Sequence, residues 1–557
     1  MTDLLPGAHL DRDEDATTFV VFSTTARRVE VKLEGGLVGT STYELDALGA
    51  GRFARRLAGI GEGALYKLVL DGDEIADPYA RFLPRGVHGP ARVEARRVAR
   101  PLPEPLPPSR WILYELHVGT FSPEGTYRGA AARLDAVADL GVTAIELLPI
   151  AAFAGQRGWG YDGVALCAPH APYGEPEDLR ALVRAAHERG LAMILDVVYN
   201  HVGPAGSYLA RCAPEYFTEA IQTPWGPAPD YAEGSPMRRL VLESARHWLE
   251  DFGFDALRLD AVHAIHDVSL RHVAREIVDL AHAMTPPRRV FFEDERDERA
   301  AIVERGADAV WADRFHHQLH VLLTRERAGY YAAFAPSVEA LAATIAEGVR
   351  AVEPDKLVYC IQNHDQIGNR ALGTRITDLV DVESYCAAST LLLFLPATPL
   401  LFMGQEWAAS SPFLYFCDHD RALGEAVREG RRIEHGFAGA SIPDPQAART
   451  FERSKLAWEE RRVEPHARVL ALYCAMVKLR RDDAVLGAPA SAQELTSRAD
   501  RDVLEVVRRG PSGSRRLVVN FGDAPALAPK GSKDVLFATR PTEDGKLAPR
   551  SAIVFRA

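Results

Sequence analysis

The chain has 557 residues, of which 47% are hydrophobic and 25% charged, the balance of a soluble globular protein. That length holds three or four domains, or one large barrel with additions, and excludes disorder, a collagen-like fibre or a small disulfide scaffold as descriptions of the whole. The 65 basic and 77 acidic residues leave a net charge of −12, so neither nucleic acid nor an anionic membrane is the expected partner.

The opening residues Met1 to Gly7 lack a basic region and a long apolar run, so no signal peptide is expected and the expected compartment is the cytoplasm. Residues 1–100 read as all-β. Alternating runs at Thr18–Phe22, Val29–Leu33 and Leu65–Leu70 are separated by Gly- and Asp-rich turns such as Asp71-Gly72, which predicts a sandwich of short strands. The stretch 101–110, with Pro101, Pro103, Pro105, Pro107 and Pro108, predicts an extended, semi-rigid linker.

From Trp111 short apolar runs alternate with amphipathic helices. Eight candidate strands follow: Trp111–His117, Ala144–Leu148, Ala192–Val197, Ala256–Asp260, Val290–Glu293, Ala309–Asp313, Leu357–Gln362 and Pro399–Gly404. The helix Glu177–Arg189 between two of them has Pro176 at its start, acidic residues in its first turn and Gly190 just beyond its end. Strands apolar on both faces and alternating with helices predict a parallel sheet. Eight of them predict an α/β fold, a closed (β/α)8 TIM barrel, over residues 111–482. A Gly- and Pro-rich insertion, about 201–235, follows the third strand, and the last barrel helix is expected at His466–Arg481. The most apolar stretch, Leu391 to Met403, is broken by Pro396 and Pro399 and is too short to span a bilayer. Residues 483–557 return to β alternation (Val503–Val507, Arg516–Val519, Ala552–Phe555), a C-terminal β-sheet domain. The six cysteines are scattered without a C-x-x-C pair, which fits a reducing compartment and neither a zinc knuckle nor a redox motif.

The active site of such a barrel lies at the C-terminal ends of its strands. Four predicted strands end there in Asp196 to Asn200-His201, Arg258-Leu259-Asp260 with His263, Glu293-Asp294-Glu295, and Asn363-His364-Asp365. A carboxylate-rich cleft suits metal-assisted hydrolysis with Asp, Glu and His ligands. It also suits retaining glycoside hydrolysis by two carboxyls about 5 Å apart. The second accounts for more of the detail. Arg258 and Asp260, two apart on a strand, share a face, and a guanidinium suits a carboxylate nucleophile beside it. Glu293 ends the apolar run Val290-Phe291-Phe292, a poorly solvated setting that suits a proton donor.

Each residue also has a structural reading. Asp260, Glu293 and Asp365 fit strand-end carboxylates paired with arginines, Asp196 a partner of Arg258, and His201 and His364 satisfied core histidines. His263, His316 and His317 are either distal substrate contacts or core. Trp159, Trp225 and Trp407 either stack on sugar rings or fill the core. Beyond Glu293, the charge run to Arg299 reads as a solvated loop.

Asp196 to Asn200-His201, Arg258-Leu259-Asp260, Glu293 and Asn363-His364-Asp365 match, in order and spacing, the four signature regions of the α-amylase family of glycoside hydrolases, which the chain resembles. The resemblance implies Asp260 as nucleophile, Glu293 as general acid/base, and Asp365 as the carboxylate that fixes sugar hydroxyls. It implies Arg258, His201 and His364 as subsite ligands, and Tyr161 and Asp162, in the run Gly158 to Gly163, as the aromatic platform and its neighbouring acid. No cofactor and no metal are implied.

Longer segments are similar to the malto-oligosyltrehalose trehalohydrolase subfamily: Gly86–Pro90, Trp111–Phe121, Thr223–Gly226, Arg258–Ile265, Trp311–His317, Pro412–Phe416 with Asp418-His419, Val427–Arg431 and Phe451–Leu456. This likeness fades beyond residue 482. It implies an N-terminal sandwich of the isoamylase type. It also implies hydrolysis of the α-1,4 bond next to the terminal trehalose of maltooligosyl-trehalose, with related α-glucans as further partners. The groups that recognise the trehalose end are expected in the loops after the sixth and eighth strands. Glycogen branching or debranching on the same fold, and a non-catalytic glucan-binding protein, are the alternatives. Two positions depart from the family: Asp294-Glu295-Arg296 replaces a small or amide residue followed by Asp, and Gln405 stands where relatives carry Glu near the cleft. Placement after the apolar run selects Glu293 over Glu295.

Overall fold

The computed structural model describes residues 4–36, 39–102, 106–294, 296–434, 442–528 and 534–557. Two antiparallel sheets come first. One orders Gly7–Asp11, Ala16–Phe22, Arg52–Ala58 and Asp46–Gly49; the other orders Gly39–Glu44, Val29–Gly36, Leu65–Leu70 and Asp73–Ile75, with Ala91–Arg92 on Leu65–Leu70. Strand alternation sends Phe19 and Val21 of the first sheet onto Val31, Leu33, Tyr66 and Leu68 of the second, with Phe19 and Tyr66 edge to face at 5.0 Å. Asp71 and Gly72 both take positive φ, 50° and 97°, the geometry a two-residue hairpin turn requires.

The linker expected at 101–110 is described only on either side of residues 103–105. Leu102 and Leu106 anchor it against Trp111, whose indole Nε1 donates to the Leu106 carbonyl at 3.2 Å.

Eight parallel strands then close into a barrel: β1 (Leu113–Leu116), β2 (Ala144–Leu147), β3 (Ala192–Val197), β4 (Ala256–Leu259), β5 (Arg289–Glu293), β6 (Ala309–Trp311), β7 (Leu357–Tyr359) and β8 (Thr398–Phe402). All eight predicted runs are strands, most of them shorter than the apolar run because the chain turns where polar residues begin. β8 pairs with β1 to close the ring. The predicted helix is Pro176–Glu188, its start fixed by a reciprocal capping pair of Glu175 and Asp178. The last barrel helix is His466–Asp482.

The barrel interior is divided. Toward the strand N-termini, Leu113, Ala144, Ala192, Ile194, Ala256, Phe291, Ala309, Val358 and Leu400 form a small apolar core. Toward the C-termini the inward positions are Glu115, Glu146, Asp196 and Arg258, all buried. Register sets Glu115 opposite Glu146 and Asp196 opposite Arg258. The insertion after β3 holds a short helix (Leu209–Cys212) and a ladder of Phe217–Thr223 with Gly226–Pro229. Ser23 Oγ donates to the Cys212 carbonyl at 2.7 Å, tying the N-terminal sheets to this rim.

The C-terminal sheet orders Glu494–Asp500, Val503–Gly510, Gly513–Asn520, Ser551–Arg556 and Val535–Ala538. It docks on the barrel through Ser497 Oγ to the Ala342 carbonyl at 2.7 Å and Arg508 Nη1 to the Phe394 carbonyl at 2.6 Å. All six cysteines are free, and no described helix is long and apolar enough to cross a membrane.

Candidate active site

Arg258 is the hub of the C-terminal end of the barrel. Its position on β4, two residues before Asp260, directs both inward. The guanidinium is fully buried; Nη1 donates to Asp196 Oδ2 at 2.7 Å and to Asp260 Oδ1 at 2.9 Å, and Nη2 donates to Glu293 Oε2 at 2.7 Å. Its carbon lies 4.3 Å from the Trp311 ring centroid. Burial works against the charge, but Asp196 and Glu293 outweigh it and hold Arg258 well above its ordinary value.

Asp260 is held from both sides. Oδ1 takes Arg258, and Oδ2 accepts Asn200 Nδ2 at 2.7 Å. The next residue, Ala261, has φ of 40°, a left-handed conformation that costs a non-glycine residue about 1–3 kcal/mol. That turn aims the Ala261 N–H at Glu293 Oε2, 2.9 Å away.

Glu293 ends β5 as predicted, while Glu295 lies outside the described residues. The Glu293 side chain is 13% exposed, and its Oε2 rests on a guanidinium and a backbone N–H rather than on the apolar residues that precede it in sequence. Among the described residues Oε1 has no hydrogen-bond partner and is the oxygen available to a ligand. The charge run after it is not wholly solvated either, because Asp294 is buried and ion-paired with Arg296 and Arg305.

The remaining predicted residues form a second arc. Tyr161 gives its hydroxyl to Asp196 Oδ2 at 2.6 Å and meets His364 Nε2 at 2.7 Å, its ring stacked on the imidazole at 5.2 Å. His364 is buried, with Nε2 3.5 Å from Asp365 Oδ1. Burial opposes its charge, yet Asp365 and Glu115 more than offset this and raise His364 to about 10. Asp365, 35% exposed at its side chain, is steadied by Asn369 at 3.2 Å. Asp196 is an internal partner of Arg258 and Tyr161, and burial pushes its carboxyl up to about 7.

His201 bonds Asn200 Oδ1 through Nδ1 and the Tyr161 carbonyl through Nε2 at 2.8 Å, so both ring nitrogens are engaged. Trp225 of the insertion stacks on it at 3.7 Å and reaches Asp162 Oδ1 at 3.3 Å. Trp225 also lines a cleft of about 620 Å³ with Val202, Phe217 and Asp230. His263, half-buried on the turn Val262–Ala264, joins none of these networks, and its Nδ1 has no partner among the described residues.

Other candidates resolve as core. His316 bonds the Ile361 carbonyl and the Tyr331 hydroxyl, and His317 is buried beside it. Trp159 and Trp407 are buried, leaving Trp225, 42% exposed, as the open indole of the three. Gln405 is turned from the cleft: Nε2 donates to Tyr473 Oη on the last barrel helix at 3.1 Å, and Oε1 accepts the Phe402 N–H. Among the described residues, no group of three or more His, Cys, Asp or Glu is arranged to hold a metal ion.

Sequence reasoning missed Glu115 and Glu146, charged residues in the middle of apolar strands. That placement is itself a signal, since a parallel barrel strand is buried on both faces.

Residues 96–233 match the α-amylase catalytic domain family, and residues 490–554 match a domain of unknown function, DUF3459. A malto-oligosyltrehalose trehalohydrolase of Deinococcus radiodurans is 46% identical over 548 residues, covering 92% of this chain and 89% of that protein. One of Saccharolobus solfataricus is 38% identical, covering 84% and 86%. The crystal structure of a candidate alpha amylase from Salmonella typhimurium superposes with a TM-score of 0.91 at 36% identity, covering 99% of both chains. A pullulanase of Anoxybacillus, at 18% identity and a TM-score of 0.76, shares the fold.

Proposed function

The chain belongs to the malto-oligosyltrehalose trehalohydrolase family of α-amylase-type glycosidases, and from that premise we propose that it hydrolyses the α-1,4 bond next to the terminal trehalose of a maltooligosyl-trehalose. The products are trehalose and a maltooligosaccharide. The observation that carries this reading is the single Arg258 guanidinium holding Asp260 and Glu293 at the ends of neighbouring strands. Retaining hydrolysis needs such a carboxyl pair, one to attack and one to move a proton.

The Asp260 carboxylate attacks the anomeric carbon of the glucosyl unit that precedes trehalose. As the bond from that carbon to the trehalose oxygen breaks, Glu293 gives that oxygen a proton from Oε1. Trehalose leaves neutral and the glucan stays as an ester of Asp260. Glu293, now a carboxylate, takes a proton from a water molecule whose oxygen attacks the same carbon. The ester bond breaks, Asp260 regains its carboxylate, Glu293 is protonated again, and two inversions retain the α configuration.

Asp365 is the carboxylate left open to sugar hydroxyls, backed by His364. In this reading Tyr161, Asp162, His201 and His263 are the further groups that bind the sugar. Polar groups must select the trehalose end, because a hydrogen-bonding site rejects a substrate lacking those hydroxyls far better than an apolar slot does. A neutral sugar also suits a chain of net charge −12.

The test is to incubate the purified protein with maltooligosyl-trehalose and, separately, with glycogen, following products by chromatography and anomeric proton NMR. Trehalose release, an initial α anomer at the new reducing end and unchanged glycogen branching are expected. Chain transfer, branch cleavage or absence of trehalose overturns the reading.

A further inference from the structure

Two carboxyl groups face each other beneath the site. Glu115 on β1 and Glu146 on β2 are Cα partners in the parallel ladder, and each is 1% exposed. Their surroundings differ. Glu115 accepts the ring Nδ1–H of His364 on Oε1 at 2.5 Å and the backbone N–H of His364 on Oε2 at 3.1 Å. Glu146 has no hydrogen-bond partner on either oxygen among the described residues. Neighbouring buried carboxyls do not both ionise readily, so the charge belongs on Glu115, where two donors meet it.

Counting protons fixes the rest of the chain. His364 gives Nδ1–H to Glu115 and presents Nε2 to the Tyr161 hydroxyl. That hydroxyl has one proton, and it points to Asp196 Oδ2 at 2.6 Å. The same Oδ2 accepts Arg258 Nη1 at 2.7 Å, which makes it the acceptor of both bonds. Tyr161 must therefore accept from His364, and His364 donates from both ring nitrogens. A directed series runs from Arg258 and Tyr161 into Asp196, and from His364 into Tyr161 and Glu115.

We propose that Glu115 is a positioning residue of the hydrolytic site: by holding the His364 ring and backbone together, it orients the Tyr161 hydroxyl and the Asp365 carboxylate that follow from them. Glu115 touches no substrate; it acts through His364. The charged and titratable groups around that ring are Glu115, Glu146, Asp196, Arg258, Tyr161, Asp365 and, more distantly, His117. Burial and the neighbouring Glu115 charge push Glu146 well above the ordinary carboxylate range, as a carboxyl that keeps its proton requires. The inference rests on the trehalose-releasing reading of the cleft.

Glu115→Gln keeps the size of the side chain and removes its charge. Its amide nitrogen, on the side now occupied by Oε2, would face the His364 N–H donor to donor. Expected are a fall in kcat of about 10²-fold, a KM within about threefold, and an alkaline limb of the kcat–pH profile displaced downward by about one unit or more. Glu146→Gln, a neutral replacement for a neutral acid outside the hydrogen-bonded chain, should leave both kcat and the profile near wild type. Ring 15N shifts should show His364 doubly protonated at about pH 8 in wild type and singly protonated in Glu115→Gln. Wild-type activity and pH profile in Glu115→Gln overturn the proposal, as does a loss carried by Glu146→Gln instead. If Glu115→Gln does not fold, the wild-type spectrum decides: a neutral His364 ring at that pH overturns it. Wild-type protein that releases no trehalose sinks the functional reading alone, because the His364 measurement needs no turnover.

Discussion

Two buried arginines solve the same problem in opposite ways. Arg258 in the cleft is surrounded by carboxylates, those of Asp196, Asp260 and Glu293. Arg480, on the last barrel helix, is 5% exposed and among the described residues meets only main-chain oxygens: Nη1 bonds the Leu393 and Leu395 carbonyls, and Nη2 bonds Ala397 at 2.7 Å. Those carbonyls belong to the end of the helix Val382–Phe394 and the turn after it, where orphan acceptors need donors. Dipoles compensate a charge only in part, and burial lowers Arg480 to about 10. Full charges overcompensate, and Arg258 is raised. The lesson is that Arg480 completes a fold by meeting main-chain acceptors, whereas Arg258 gathers carboxylates that stay available for chemistry.

The largest break in this comparison is Asp260→Asn. Trehalose release should fall by roughly 10⁴-fold or more. Removing one negative charge from a crowded cluster should meanwhile leave the melting temperature unchanged or higher, the usual trade between stability and function. A clear drop in melting temperature would mean the cluster is a structural ion-pair network of strand-end carboxylates paired with an arginine. Next comes Arg258→Met, which leaves buried carboxylates unpaired. It should lose activity and about 3–5 kcal/mol of stability near neutral pH. That deficit should shrink in acid, where the carboxylates take up protons; equal deficits at about pH 5 and pH 8 in denaturant titrations would contradict it. Arg480→Met should cost about 2–3 kcal/mol through its unpaired carbonyls, show no such pH dependence, and keep kcat within about twofold. Activity loss there beyond what unfolding explains would erase the distinction between the two sites.

How much of this was legible in the sequence follows from range. The eight strands were, because each is a local apolar run and the alternation with helices repeats. Asp260 and Arg258 were, because strand period alone puts them on one face. The role of Glu115 was not: a charge inside an apolar strand marks the position, but its partner His364 is 249 residues away and no local pattern names that partner. The donors that meet Glu293 were not legible for the same reason, since the residues before it in sequence are not those around its carboxyl in space. His316 and His317 follow β6, where a cleft residue is expected, but the helix Asp313–Thr324 turns them into the core. Near Gln405 the sequence does not tell which wall of the β8 turn a side chain meets.

That last residue offers the smallest effect and the finest test of the comparison. Gln405, like Arg480, is buried among neutral partners: the Phe402 N–H at 3.2 Å and Tyr473 Oη at 3.1 Å, which also meets Tyr385 and Ser389. Gln405→Glu places a carboxyl there. The Phe402 N–H still has its acceptor, and the Tyr473 hydroxyl can turn to donate, so most hydrogen bonds survive. The charge is what lacks compensation. Burial pushes the adjacent Glu406 up to about 7, and the new carboxyl should behave alike. A folded-state value raised above the unfolded value of about 4.3 means that the folded protein keeps a proton the unfolded chain releases. Stability relative to wild type should thus be nearly unchanged below about pH 4.3, fall as pH rises through about 7, and level off beyond it. A loss of about 1–2 kcal/mol at about pH 8, discounted for the Tyr473 donor, with kcat within about twofold, is the expected result. A variant as stable as wild type across that range would show that this neutral wall accommodates a charge as well as the cleft does.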